Sequence, residues 1–117
     1  AELLFDSRPN DRRICQKIVH LAEGIENETA LHAALLLYKG KALRELGLFE
    51  AARTTLTTAL RRKADRPDEL LQALRYERAL AYEALGKKAR ARSELEKLYA
   101  EVPGYEDVAA RLNLNSL

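Results

Sequence analysis

The residues able to do chemistry are few and poorly placed for it. The chain has one cysteine, Cys15, and two histidines, His20 and His32. Cys15 and His20 fall on one predicted helix, five positions apart and so about 140° round its axis, which keeps thiol and imidazole from facing each other. Glu28 and His32 are four apart and share a helix face, as a metal-holding pair would, but one pair lacks the remaining ligands. Cys15 fits a small core residue on the helix stripe. The five glycines are isolated and read as helix stops, so no glycine-rich loop cradles a phosphate. These residues predict no enzyme, no cofactor and no metal site.

Three basic clusters are the remaining candidates: Arg12–Arg13 with Lys17, Arg61–Lys63, and Lys87–Lys88 with Arg90 and Arg92. Such runs are usually solvated faces. Arg61–Lys63 falls at a predicted helix C-terminus, where cations complement the helix dipole. Lys87–Lys88 sits at the opposite, unfavourable end and is the better candidate for contacting an anion. The formal charge is only +2, from 20 basic and 18 acidic side chains. Aromatic residues are too few and scattered for base stacking. Nucleic acid is therefore disfavoured as a partner.

The elements that position these residues are helical. Hydrophobic residues make up 47% and charged residues 32%, an ordinary balance for a globular domain. Ala and Leu supply most of the apolar residues, Arg, Glu and Lys most of the charges, and all are good helix formers. Six helices are predicted. Helix 1 spans about 9–23, capped by Ser7 or Asn10, with Ile14, Ile18 and Leu21 as its apolar stripe and Gly24 as its stop. Helix 2 spans about 28–46, with Asn27 as candidate cap, Leu31, Leu35, Leu36 and Leu43 on its apolar face, and Gly47 as its stop. Helix 3 spans about 49–63 and helix 4 about 67–85, stopped by Gly86. Helix 5 spans about 88–101, stopped near Pro103, and helix 6 about 105–112.

The pattern repeats. Gly47 and Gly86 are 39 residues apart, and laying residues 33–66 over 72–105 gives eight identities. Seven are small or apolar: Ala34/Ala73, Leu35/Leu74, Ala42/Ala81, Leu46/Leu85, Gly47/Gly86, Ala52/Ala91 and Leu56/Leu95. The eighth, Arg53/Arg92, has no packing reason in the sequence. Small residues at Gly40/Ala79 and Ala52/Ala91 allow close helix approach, and Leu43/Tyr82 and Leu56/Leu95 fill the adjoining space.

On these positions the chain resembles the tetratricopeptide repeat family. Copy one contributes Leu36, Gly40, Leu43, Gly47, Phe49, Ala52, Leu56 and Ala59; copy two contributes Ala79, Tyr82, Gly86, Ala91, Leu95, Leu98 and Pro103. Departures are Lys39 and Arg78 where the family has Leu, Arg75 where it has a bulky opener, and five residues beyond the usual unit of about 34, placed around Arg61–Arg66. The resemblance implies an all-α, right-handed α-α superhelix forming a single domain over 1–117. Repeats at about 33–66 and 72–105 would lie between a cap helix at about 9–24 and another at about 105–112.

The resemblance also implies a function. First helices of successive units line a concave groove that takes an extended peptide or a helix, as an adaptor or scaffold does. The groove positions carry over to Leu37, Lys41, Arg44 and Glu45 in copy one and to Tyr76, Leu80 and Glu83 in copy two, with Tyr38 and Glu77 at the margin. The alternative for Leu37 and Tyr76 is packing against the cap helices. One subgroup grips a partner's C-terminal carboxylate with Lys and Asn; the matching positions here hold Leu37, Lys41 and Glu77, which argues against that specificity. A homodimer is the alternative to a foreign protein partner. No apolar run approaches the roughly 18 residues that span a membrane, and neither a signal peptide nor a possible disulfide is visible, so a cytoplasmic location is expected. The chain begins at Ala1 and contains no Met, which points to a processed chain or a piece of a longer protein.

Overall fold

The computed structural model describes residues 12–24 and 26–114. These residues form six α-helices and no strand: α1 (Arg12–Leu21), α2 (Ala30–Glu45), α3 (Phe49–Leu60), α4 (Asp68–Ala84), α5 (Lys88–Glu101) and α6 (Val108–Arg111). The all-α expectation holds. The expected start of the first helix at Pro9, with its caps Ser7 and Asn10, lies outside the described residues. None of the described helices is long and apolar enough to cross a membrane.

The helices stack in chain order. α2 pairs with α3 and α4 with α5, α3 and α2 both pack on α4, α1 covers α2, and α6 covers α5. This is a tetratricopeptide-like arrangement: two hairpins side by side with a helix at each end. Each hairpin turns at a glycine in the left-handed region, Gly47 at φ +82° and Gly86 at φ +76°. The surrounding bonds repeat as well. Gly47 N–H donates to Arg44 O and Leu48 N–H to Leu43 O; Gly86 N–H donates to Glu83 O and Lys87 N–H to Tyr82 O. That paired pattern is the Schellman ending, which satisfies the last carbonyls of a helix while reversing the chain.

The core follows the repeat. Leu56 and Leu95 are fully or almost fully buried, as are Ala52 and Ala91, Ala42 and Ala81, and Leu43 and Tyr82. Ala79 packs with Leu95 and Leu98 in the second hairpin. Its counterpart Gly40 is tighter still, since a Cβ there would lie 2.5 Å from Leu56 Cδ2 and 2.7 Å from Leu56 Cγ. Arg53 and Arg92, identical without a packing role, pair with carboxylates on their own helices: Arg53 Nε with Glu50 at 2.7 Å and Arg92 Nε with Glu96 at 2.9 Å.

Several local expectations are corrected. Thr29, not Asn27, caps α2, its Oγ1 accepting the His32 N–H at 3.1 Å. Asn27 instead donates through Nδ2 to Thr58 O and Ala59 O, both at 3.0 Å, closing the far end of α3. That helix stops at Leu60 with Arg61 as its C-cap, so Arg61 keeps the expected place at the helix C-terminus while Arg62 and Lys63 lie beyond it. α6 is shorter than predicted, and Tyr105 precedes it. Leu21 and Leu31, expected on apolar faces, are each 69% exposed. The stripe of α1 runs Cys15, Ile18, then Ala22. Leu31 lies about 120–140° round the axis from Leu36 and Leu37, which define the buried side of α2.

Gly40→Ala is expected to destabilise the protein. Overpacking against immobile Leu56 costs about 1–3 kcal/mol, against roughly 1 kcal/mol gained in helix propensity. The sign should reverse in a Leu56→Ala background, read by urea unfolding. A single Gly40→Ala that raises the melting temperature would show that α2 and α3 do not meet there.

Candidate functional site

The nine groove positions split into three groups. Leu37 is core: it is 7% exposed and clusters with Leu36, Leu56, Ala59, Leu60, Leu71 and Leu74 from three helices. Tyr38 packs at the edge of the Cys15, Ile18 and Ala42 cluster under α1. The Lys41 ammonium lies 5.6 Å from the Tyr38 ring centroid, within cation–π range.

Tyr76 belongs to the C-terminal cap. Its ring meets Tyr105 edge-on with centroids 5.6 Å apart, and its hydroxyl donates to Asp107 Oδ1. Burial, then the adjacent Asp107 carboxylate, push its phenol from 10.0 up to about 12. Burial acts against ionised Asp107, but the Tyr76 hydroxyl and the Arg111 guanidinium hold its carboxyl below the usual range. Arg111 Nε donates to both Asp107 oxygens, at 3.1 and 3.0 Å, and Nη1 pairs with Glu83.

The third group faces a common space. Arg44 Nε donates to Glu77 Oε1 at 3.0 Å, and Arg44 Nη2 lies 3.5 Å from Glu45. Glu77 is only 6% exposed, so this pair ties α2 to α4 with little solvent between them. Beside it opens a cleft of about 340 Å³, lined by Arg44, Phe49, Leu80, Glu83, Ala84 and Arg111. Leu80, Ala84 and Phe49 supply apolar surface, and a guanidinium stands at either side. Three expected residues, Arg44, Leu80 and Glu83, meet here. Phe49, Ala84 and Arg111 join them. Ala84 was discoverable, being four residues after Leu80 and hence on the same face. Phe49 belongs to the repeat pattern rather than to the groove positions, and no local spacing signals Arg111, which arrives from the cap.

The other chemical candidates are dispersed. Cys15 is 1% exposed in the core, while His20 lies at the surface 3.5 Å from Glu23. His32 Nδ1 accepts the Glu28 backbone N–H at 3.3 Å, so that pair closes a helix start. Among the described residues no three His, Cys, Asp or Glu side chains converge as a metal site would require. Lys88 and Arg92 line a neighbouring cleft of about 350 Å³ on the other side of the Glu83–Arg111 pair.

Alkaline pH should expose the Tyr76 contact. The folded state holds the phenolic proton while the unfolded chain releases it near 10.0, so stability falls as pH climbs from there toward about 12. Tyr105, also raised by burial, contributes in the same direction. Tyr76→Phe is expected to cost about 0.5–1.5 kcal/mol at neutral pH and to flatten this alkaline slope. An unchanged slope would remove the hydroxyl from the cap.

Comparison with known proteins adds a family to this geometry. No curated protein and no solved structure matches the chain. The family described as "T7SS, ESX-1 secretion system protein EccA1, N-terminal domain" matches residues 18–116, a span that contains all six residues of the cleft. By that match over most of its length, the chain belongs to the family of the N-terminal domain of the ESX-1 secretion system protein EccA1.

Proposed function

We propose that this chain is a non-catalytic, protein-interaction domain of a secretion-system component, built from two degenerate tetratricopeptide units and working in the cytoplasm. Its cleft between α2, α3 and α4 receives an extended segment or a helix from a partner protein. The observation that carries this reading is a cleft whose lining combines the apolar Leu80, Ala84 and Phe49 with Arg44, Glu83 and Arg111. An apolar centre with a polar, charged rim is the usual anatomy of a protein-binding patch. The guanidiniums are held by Glu77, Glu83 and Asp107, so the rim is oriented before a partner arrives, which lowers the entropic cost of binding. Because these charges are already paired, the cleft favours an apolar side chain flanked by hydrogen-bonding groups over a strongly charged ligand.

Ala84 is exposed, which makes it a clean test position. A photo-crosslinking residue at Ala84 in the full-length protein should give a discrete adduct with a partner. Ala84→Arg or Leu80→Arg should block capture without loss of helicity. Absence of an adduct, or an adduct indifferent to Leu80→Arg in a folded protein, would sink the reading.

A second reading is self-association. Leu21 and Leu31 are large, apolar and 69% exposed at the α1 end of the stack. Under it, sedimentation velocity detects a dimer that Leu21→Glu with Leu31→Glu converts to monomer. A strict monomer at all concentrations removes it.

A further inference from the structure

The linker between the two hairpins builds a second cleft, of about 160 Å³, lined by Thr57, Leu60, Arg61, Lys63, Arg75 and Arg78. Four of these six residues are cations. Two are fixed from α5: Arg75 Nη1 donates to Glu101 at 3.0 Å, and Arg78 Nη2 pairs with Glu94. Glu94 is 7% exposed, so Arg78 is held rigidly. Its Nη1 reaches Thr57 Oγ1 at 3.4 Å, and its Nε is buried with no hydrogen-bond partner among the described residues. Arg61 and Lys63 are exposed, and no carboxylate among the described residues pairs with either.

Ion pairs account for Arg75 and Arg78 and the end of α3 for part of Arg61, which leaves a net positive charge at the cleft. Basic residues following a helix commonly bond its last carbonyls. Here Asn27 already donates to two of them, Thr58 O and Ala59 O. The linker is also fixed. Arg66, 8% exposed, donates to Ala64 O at 3.2 Å and to Asn27 O and Oδ1 at 3.2 and 3.1 Å. Asp65 takes a left-handed φ of 60°, a conformation Asp tolerates better than most residues.

We propose that this cleft binds a phosphoryl group, as free phosphate or as a phosphate monoester. The four lining cations are opposed by the carboxylates of Glu94 and Glu101, leaving an excess of two positive charges. A phosphate monoester carries about −1.5 to −2 at neutral pH and offers three acceptor oxygens. Guanidinium groups match those oxygens in pairs. A volume of about 160 Å³ holds one such group with a few waters, each occupying about 30 Å³. The site is separate from the partner cleft, because Arg78 lies about 160° round α4 from Leu80.

The test is an amide-resolved NMR titration of the folded chain with sodium phosphate, against sodium chloride at matched ionic strength. Phosphate should produce saturable shifts at Thr57, Lys63, Arg75 and Arg78 that chloride does not. Arg61→Gln with Lys63→Gln should weaken binding about tenfold or more with at most a small drop in melting temperature, since neither side chain is ion-paired and only the interaction of Arg61, the C-cap of α3, with the helix dipole is lost. Binding should also weaken as pH falls through about 6, where the dianion takes up a proton. Phosphoserine and a nucleoside monophosphate distinguish the sources: tighter binding of one identifies a monoester, and equal binding identifies free phosphate. Shifts that match chloride, or a double variant that binds phosphate unchanged, would overturn the proposal.

Discussion

The architecture depends on how closely α2 can approach α3. Leu56 occupies the space that a side chain at position 40 would need, so glycine there lets the first hairpin close without displacing Leu56. The second hairpin uses the same contact with one carbon more, Ala79 against Leu95. Phe49, at the start of α3, lines a cleft with Leu80 and Ala84 of α4. Close approach lets α4 lie against α2 and α3 together, which places Arg44 on Glu77. The cleft and the core packing thus share one steric allowance.

Partly buried ion pairs cross between these tightly packed helices. Arg44–Glu77 joins α2 to α4, and Arg78–Glu94 joins α4 to α5. Pairs so shielded from water add little net stability, because removing charges from water is costly. Displacing one member leaves a buried charge unpaired, which strongly disfavours any slipped arrangement.

Periodic features were legible in the sequence and long-range ones were not. The glycine turns, the small-against-large contacts and the 39-residue repeat all follow from local patterns that helical geometry imposes. The groove was only partly legible. Leu37 looks like a groove residue by alignment, yet α4 covers it. Tyr76 looks like a recognition aromatic, yet the C-terminal cap claims both its ring and its hydroxyl. Arg75 and Arg78, which depart from the repeat pattern, are where the chain carries interactions that no repeat average contains. Asn27 was read as a helix start because short polar residues favour such positions; its acceptors on α3 lie 31 and 32 residues away and leave no trace in local sequence.

The bond between Arg66 and Asn27 spans 39 positions, the same interval that separates the two turn glycines. It fastens the loop before α2 to the loop after α3, so that the two helices lie between its ends. In a cross-linked chain, closing a loop of this kind restricts the unfolded ensemble and makes its contents open together. Here a guanidinium and an amide make the clasp, in a chain whose lone cysteine offers no covalent one. The contact therefore tethers the loop before α2 to the loop after α3 in the folded state only, without the hold on the unfolded chain that a covalent link would have.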